Sequence, residues 1–454
     1  KGNTLLGGMV TSVNRALDQP YLEDFMVRNA FTAGIDFTQY FKNRLYYIDV
    51  KGMLSSLHGS AGAITALQNS VAHYYQRASS ADYLGVDPTR RSLTGTGGYV
   101  KVGRKGNAKW NFSETFTWSS PGFDLNDMGY MKETDYLMNE TEIMYRQTDI
   151  WKIFRYNAFT LSQKNMWNYG GTPFSNNASL RWQSMTMNRY EWDVKETFAW
   201  NWLDSRLLRG GPDVRFGSYF LTSAKFNTDK AKRMMFMLKY EGDHNFEGNR
   251  FNTISPSLTF RLGNHVYLSG QLDYAWNTDE MQYVATTSPL SSSSLAPYYY
   301  VMGHMDQKTY GLTLKLQVNV TPDISIQFYG APFTSIAKYD DFKLAADTKS
   351  HTFENRFQRI DPDQLTYADG VYTIGEGAGQ MPFRNPDFRF NEFRSNLVAR
   401  WEYLPGSTLY FVWEHRMSNR DNWYSSGWGS NLDRMWGLPA TNTFMIKMNY
   451  WFNL

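Results

Sequence analysis

An alternation of apolar and polar side chains with a period of two residues is the feature that most constrains this fold. At 309–320, one side of the chain carries aromatic and aliphatic residues and the other carries polar ones. The same period recurs at 266–276, 393–403 and 443–454. Successive side chains of a β-strand point to opposite faces, so each segment is predicted to be a strand with one apolar and one polar face.

The length of these strands separates two all-β architectures. A soluble β-sandwich with one wet face would also show the alternation. Its strands usually have about 5 or 6 residues, whereas the alternating segments here run for about 10 to 14, close to the ~9–11 that cross a bilayer. We therefore predict a transmembrane antiparallel up-and-down β-barrel.

The connections between the predicted strands fall into two classes. Eight are short turns, near residues 42–43, 104–106, 148–149, 188–189, 229–230, 263–264, 321–322 and 405–406. Nine are longer links, at about 15–27, 59–89, 120–135, 167–177, 205–212, 246–249, 279–307, 333–390 and 418–442. Short periplasmic turns alternating with long extracellular loops are typical of outer-membrane barrels. The count predicts about 18 strands (16 to 20) in one barrel over 1–454, with both termini periplasmic.

One segment decides whether the strand number is even. Residues 61–75 have apolar side chains at Ile64, Leu67, Val71 and Tyr74, which is helical spacing. We interpret them as a helix inside an extracellular loop, because a strand there would raise the count to 19. A break near 282–305 leaves room for one additional hairpin.

The aromatic content agrees with a barrel in lipid. The chain has 15 Trp, 31 Tyr and 30 Phe, yet its mean hydropathy is −0.53. Interleaving explains both values, and Trp and Tyr are expected to form girdles at the two membrane interfaces. A net charge of +3 gives no basic face for nucleic acid. The absence of Cys excludes disulfides and thiolate metal sites.

Four segments resemble a family of Gram-negative outer-membrane proteins in which a barrel of unassigned function follows an N-terminal, family-nine-type carbohydrate-binding domain. They are G-G-M-V-T-S-V-N-R at 7–15, Y-Y-Q-R at 74–77, S-P-G-F-D-L-N-D-M-G-Y at 120–130 and F-R-S-N-L-V-A-R-W-E-Y-L-P-G-S-T-L-Y at 393–410. The resemblance implies a barrel in the outer membrane, a link to glycans, and a chain that corresponds to the barrel half of a longer protein. It implies no reaction.

The polar face of the strands is predicted to line the lumen. Candidate residues for solute binding there are Arg394, Asn396, Arg400, Glu402, Lys315, Arg261 and Asp273. Charged side chains in a pore select polar solutes. The alternative is structural, since inward Arg and Glu also pair across strands and fix their register.

Two loops carry further candidates. The loop at 333–390 is long enough to constrict or plug the lumen, and its acidic residues offer oxygen ligands for extracellular Ca²⁺, without the acid spacing of a known calcium loop. The last loop contains Trp423, Tyr424, Trp428 and Trp436. Exposed aromatic rings there are expected either to bind glycans or a protein partner, or to continue the girdle.

The sequence shows no catalytic or metal-binding motif, so we predict neither an enzyme nor a resident cofactor. The favoured function is a porin-like channel for polar solutes, with glycan-derived solutes as candidate cargo. The alternative is a non-conducting structural or accessory subunit that binds another outer-membrane protein. Membrane lipid is the expected partner in both cases.

Overall fold

The fold consists almost entirely of long antiparallel strands. A computed structural model describes residues 2–77, 82–290, 297–421 and 428–452. The wall is built from β1 (Thr4–Asn14), β2 (Asn29–Phe41), β3 (Tyr46–His58), β4 (Ser92–Arg104), β5 (Trp110–Ser119), β6 (Tyr136–Gln147), β7 (Phe154–Trp167), β8 (Pro173–Thr186), β9 (Glu191–Trp200), β12 (Tyr219–Asn227), β13 (Met234–Asn245), β14 (Arg250–Leu262), β15 (Val266–Thr287), β16 (Tyr299–Asn319), β17 (Ile324–Ala345), β22 (Phe388–Leu404), β23 (Ser407–Asp421) and β24 (Ala440–Asn449).

The shorter elements belong to the connections. They are α1 (Pro20–Glu23), α2 (Ala61–Gln68), α3 (Trp428–Trp436), β10 (Trp202–Asp204), β11 (Val214–Phe216), β18 (Phe357–Arg359), β19 (Leu365–Ala368), β20 (Val371–Ile374), β21 (Met381–Arg384) and the 3₁₀ turns Glu354–Arg356, Pro362–Gln364 and Gly377–Gly379. None of the described helices is both long and apolar enough to cross a membrane.

Each wall strand pairs antiparallel with the wall strand next to it in sequence. In the described chain 19 strands form one sheet, and β18 contributes only a three-residue pairing with the end of β17. Eighteen strands therefore form the wall. This confirms the predicted fold class, an all-β up-and-down barrel with about 18 strands.

The register of the sheet separates two surfaces. One surface carries large exposed apolar side chains, including those of Leu6, Val10, Ile35, Phe112, Leu180, Phe236, Leu268, Leu314, Trp401, Phe411 and Ile446. The opposite surface carries charged residues on strand after strand, among them Asp36, Lys51, Glu140, Lys164, Arg181, Asp193, Lys195, Lys239 and Glu241. Loop segments pack onto this second surface, which is the inner one. Glu114 is an exception on the outer surface, where Asn139 and Thr141 donate hydrogen bonds to it.

The two ends of the barrel differ as the sequence predicts. One end has eight turns of two to six residues, which we call the short-turn end; the other, the long-loop end, holds the nine remaining connections. At the β2–β3 turn, Lys42, Asn43 and Arg44 have φ values of 46°, 56° and 65°. Positive φ values of this kind are typical of tight β-hairpin turns. Because the wall strands alternate in direction and their number is even, both chain ends lie at the short-turn end.

The connections differ in detail from the prediction. The helix predicted over 61–75 forms only at 61–68, as α2; the chain then continues in turns, and Tyr74 has a φ of 46°, which is incompatible with a helix. The links predicted at 279–307 and 333–390 are shorter, because β15, β16 and β17 continue for 22, 21 and 22 residues. β15 has a bulge at 279–282 and remains paired with β16 beyond it, and the pairing of β16 with β17 shifts register between Met302 and His304 and then continues. The alternation weakens there because both faces contact other loops, so the sequence pattern ends before the strand does.

One seam of the wall is not hydrogen-bonded. Within the described chain, β1 pairs only with β2, and β24 only with β23. Residues 440–449 are exposed on both faces of β24. The free edges of the sheet are therefore those of its first and last strands.

Candidate functional site

The seven residues predicted to line the lumen share one surface. Asp273, Gly311, Phe333 and Glu392 are opposed in a row across β15, β16, β17 and β22. Two and four positions along β22, Arg394 and Asn396 face the same way, as do Lys315, Arg261, Arg400 and Glu402. The structure thus places all seven on the inner surface, although their role as binding residues stays a prediction.

Two of the seven come together at a cavity in the lumen. Arg394 and Asp273 line a space of about 350 Å³ with Glu392, Tyr329 and Thr313. Glu392 forms ion pairs with Arg394 and Arg416, whose nitrogens lie 2.8 and 2.9 Å from Glu392 Oε1, and Arg416 Nε donates a hydrogen bond to the same oxygen at 3.0 Å. Arg394 and Arg416 are directly opposed on β22 and β23, so one carboxylate holds two guanidinium groups beside this cavity.

Three others lie at the short-turn end and have structural contacts. Glu402 accepts hydrogen bonds from the backbone N–H of Gly406 at 3.0 Å and from Arg400 at 2.5 Å. Arg261 donates to the backbone carbonyl of Lys230 at 3.1 Å. These bonds stabilise the turns. Arg400 and Glu402 lie on one strand, so their contact is not the cross-strand pairing of the structural alternative, which stays a prediction.

Part of the long connection between β5 and β6 folds into the barrel. Phe123 lies against Gly95 and Gly97 on the inner face of β4, where a Cβ on Gly97 would come 2.5 Å from the Phe123 ring. The backbone N–H of Asp124 donates to Ser55 Oγ on β3 at 2.9 Å. The motif at 120–127 is therefore an inward segment that needs the two glycines opposite it.

A buried contact between His73 and Asp124 holds this segment to the loop between β3 and β4. His73 Nε2 lies 2.9 Å from Asp124 Oδ2, and His73 Nδ1 lies 2.9 Å from the carbonyl oxygen of Pro121. Both side chains are almost fully buried. Since a carbonyl oxygen only accepts, Nδ1 donates to Pro121, and the side chain links both ends of the stretch 121–124 to the β3–β4 loop.

Arg206 connects three long loops across the mouth. It lies in the loop between β9 and β12, donates to the carbonyl oxygens of Val71 and Lys132 at 2.8 and 2.9 Å, and pairs with Glu133 at 3.1 Å. Burial lowers the pKa of this guanidinium. A side chain with three partners on two other loops fixes their relative positions.

Arg356 makes the second such connection, and its side chain is 1% exposed. Its guanidinium donates to both oxygens of Glu247 at 2.6 and 2.9 Å and to the carbonyls of Arg215, Ser350 and His351. These partners come from three different long connections. Together with the Arg206 contacts, they form a set of linked loops over the barrel mouth, which we call the cap.

Apolar clusters complete the cap. Phe342, Val301, Ile374 and Phe383 form one, which packs the small sheet β19–β20–β21 onto the extended ends of β16 and β17. Leu208, Val214, Met281, Met302 and Phe357 form another. The loop predicted to constrict the lumen is therefore a folded part of the cap, and its role as a plug stays a prediction.

The aromatic loop is only partly described. Trp423 and Tyr424 lie outside the described residues, and Trp428 begins α3. The Trp436 ring is 5.0 Å from that of Phe393, on the outer surface of β22. This contact favours the girdle alternative for Trp436. Among the described residues no group of three His, Asp or Glu side chains is arranged to hold a metal ion, and the proposed Ca²⁺ stays a prediction.

A second cavity was not found by sequence reasoning. It measures about 220 Å³ and lies beneath the hairpin β10–β11, with Trp202, Tyr219 and Asp243 among its lining residues. The loop predicted at 205–212 is the turn between β10 and β11, and the sequence pattern does not separate these two short strands from the neighbouring wall strands. The sequence feature that could have indicated the hairpin is Asn201, which lies between two Trp residues. Asn tolerates the left-handed conformation, and Asn201 adopts it with a φ of 51°, which redirects the chain after β9.

These features define a large up-and-down barrel with an apolar outer surface, a charged inner surface and a cap. The chain belongs to the family described as a domain of unknown function, DUF5916, whose model matches residues 58–454. No curated protein matches the chain.

Among solved structures, the chain is similar to two receptors. The siderophore receptor PirA from Acinetobacter baumannii is 9% identical, with a TM-score of 0.41 over 99% of this chain and 73% of the receptor. A mutant of the ferric enterobactin receptor PfeA from Pseudomonas aeruginosa is 9% identical, with a TM-score of 0.43 over 99% of this chain and 72% of the receptor. Values this low say nothing about what this chain binds.

Proposed function

We propose that this protein is an outer-membrane channel, porin-like in its passive conduction of polar solutes. The observation that carries the proposal is the charged inner surface, with an open cavity of about 350 Å³ at Arg394, inside an outer surface of exposed apolar side chains. Closing a sheet in lipid satisfies its backbone groups, and charges facing the lumen select among solutes. In this proposal the short-turn end and both chain ends are periplasmic.

The cargo that we propose is a glycan-derived solute. Support comes from the resemblance to barrels that follow a carbohydrate-binding domain and from the mixture of charged and neutral polar groups around the lumen cavity. Membrane lipid is the partner of the outer surface. We propose no enzymatic activity and no resident cofactor, since the sequence has no catalytic motif.

The cap supports a second candidate, a non-conducting accessory subunit. Arg206 and Arg356 hold loops together across the mouth with short hydrogen bonds. A mouth closed by such bonds suits a scaffold whose exposed loops bind another outer-membrane protein.

Planar-bilayer recording of the purified protein tests the channel. A variant that lacks the Arg356 part of the cap, called the cap-deleted variant, should replace 338–387 with a short turn. Ala337 and Phe388 are directly opposed on β17 and β22, so a turn closes them into a hairpin. We expect small conductance from the intact chain and larger conductance from the variant. Silence from both, with the variant shown to be folded, would refute a channel.

Co-purification in mild detergent separates the two candidates. The channel is expected to purify alone or as a self-oligomer, whereas an accessory subunit is expected to bring a stoichiometric partner. A variant with Arg206→Met serves as a control, since it loosens the cap without removing a loop.

A further inference from the structure

The cavity beneath the hairpin β10–β11 lies at the long-loop end of the inner surface. Tyr219 on β12 is opposite Asn245 on β13, and Asp243 on β13 is opposite Phe251 on β14. Phe251 is in turn opposite Asn277 on β15. Four adjacent strands therefore supply one wall, with aromatic and polar side chains side by side.

The hairpin supplies the opposite wall. Trp202 and Phe216 are paired across β10 and β11, and both line the cavity. The Trp202 and Tyr219 rings have centroids 5.6 Å apart at 69°. The backbone N–H of Gly217 donates to Glu247 Oε2 at 2.9 Å, and Glu247 is also the partner of Arg356. The aromatic wall is thereby fixed to the cap.

The polar groups of the cavity retain unused hydrogen-bonding capacity. Asp204 accepts from the backbone of Arg206 and Leu207 through Oδ1 alone, at 2.7 and 2.9 Å. Asp279 uses Oδ1 for the backbone of Met281 at 2.9 Å. Asp243 has neither a hydrogen bond nor an ion pair to any part of the chain that the structure describes. Several acceptors are thus left facing the cavity.

The spacing of these acceptors indicates the kind of ligand. The described residues contain no group of three His, Asp or Glu side chains close enough for a metal ion, so the carboxylates surround the cavity and do not converge on one point. Dispersed acceptors beside ring faces match a solute that presents several hydroxyl groups around an apolar ring face. A volume of about 220 Å³ suits one small solute.

We propose that this cavity binds a single neutral sugar ring of hexose size. The C–H face of the sugar lies on the Trp202 ring, which Tyr219 holds in place by an edge contact, and its hydroxyl groups donate to Asp243 and Asp279. The inference rests on the proposed function, because the cavity opens on the lumen side of the wall. The site should also distinguish neutral sugars from sugar acids. Its lining has three carboxylates and one guanidinium, that of Arg250, so a negatively charged sugar is repelled.

Matched sugars test the selectivity. Saturation-transfer NMR of the purified full chain should be run with glucose and galactose, and with glucuronate and galacturonate, which differ from them only by oxidation at one carbon. We expect at least one neutral hexose to bind and its acid to bind at least about tenfold more weakly. Equal binding of hexose and acid, or binding of none of them, would overturn the inference.

Variants test the residues. Trp202→Ala should weaken hexose binding about tenfold, whereas Phe220→Ala, which removes an outward ring from the same strand as Tyr219, should leave it unchanged. Asp243→Asn should keep hexose binding and raise binding of the acid. Unchanged hexose binding in a folded Trp202→Ala, or no gain of acid binding in Asp243→Asn, argues against the site.

The outcomes also separate this inference from the channel. Conductance without hexose binding removes the sugar site and leaves the channel. Hexose binding without conductance, in both the intact and the cap-deleted chain, leaves the sugar site and removes the channel.

Discussion

Arg356 holds the cap together through several hydrogen bonds from one side chain. Its guanidinium donates to one carboxylate and to three backbone carbonyls. Arg suits this position since its five N–H groups have a fixed planar arrangement. Lysine would offer one nitrogen to the same acceptors. The Glu247 carboxylate, 13% exposed, has Arg356 as its cationic partner and the Gly217 backbone N–H as a further donor.

Replacing Arg356 by Met should destabilise the cap. Removing one member of a buried ion pair leaves the other charge uncompensated, at a cost of about 3–5 kcal/mol. We expect faster proteolysis within 346–359 and a lower unfolding temperature. The double variant with Glu247→Met should recover part of the loss. If the single variant resists protease like the wild type, the pair does not hold the cap.

Sequence reasoning reached the orientation of residues but not their partners. The period of two places Arg394 and Asp273 on one surface, because side-chain direction follows from strand geometry alone. Nothing in that period shows that Arg416 shares Glu392 with Arg394, or that Arg206 reaches Val71. Such contacts depend on where the loops cross, which has no signal in a local pattern.

At the scale of elements, the inward segment 120–127 depends on glycines in β4. A Cβ on Gly95 would lie 2.1 Å from the backbone nitrogen of Phe123. Backbone atoms cannot move aside as a flexible side chain can, so the strand and the segment fit only without that carbon.

Gly95→Ala should therefore displace the inward segment. We expect a lower unfolding temperature and faster hydrogen exchange of the backbone amides at 122–124, because overpacking costs about 1–3 kcal/mol or more. Gly52→Ala on the adjacent strand is the matched control, since its Cβ would meet no atom closer than 4.0 Å. Equal protection in the two variants would contradict the expected clash.

Strand number was predictable and strand ends were not. All eight short turns follow from the sequence because a reversal between two-faced strands needs turn residues. At the long-loop end, β15, β16 and β17 extend among the cap loops, where no face of the strand needs to contact lipid. The apolar–polar alternation therefore stops there, while the strand pairing continues.

At the scale of the whole molecule, a charge introduced at two adjacent positions on one strand should change the folding stability by very different amounts. Leu314 is exposed on the outer surface of β16, and Thr313 lines the lumen cavity. Leu314→Arg should destabilise the folded protein in lipid vesicles by about 2–4 kcal/mol, as expected near the bilayer midplane. Thr313→Arg should cost little. Similar urea-unfolding free energies for the two variants would show that the outer surface does not face lipid.

The unpaired seam gives a second prediction at this scale. Open sheet edges in lipid cost several kcal/mol for each unsatisfied group, so we expect β1 and β24 to pair with each other in the membrane. The chain has no Cys, which makes engineered disulfides unambiguous. Val10→Cys should cross-link within the chain to only one of Phe444→Cys, Ile446→Cys and Met448→Cys. Cross-links between chains alone would show that the edges bind a second copy.

The cap contacts also set an order of events during folding. Wall strands pair with their neighbours in sequence, whereas Arg206 bonds to a residue 135 positions away and Arg356 to one 141 positions away. Contacts of long sequence separation carry a larger loop-closure entropy and form late. The barrel can thus grow hairpin by hairpin with its mouth open, and the mouth closes only once Arg356 meets Glu247, which lies 109 positions earlier in the chain.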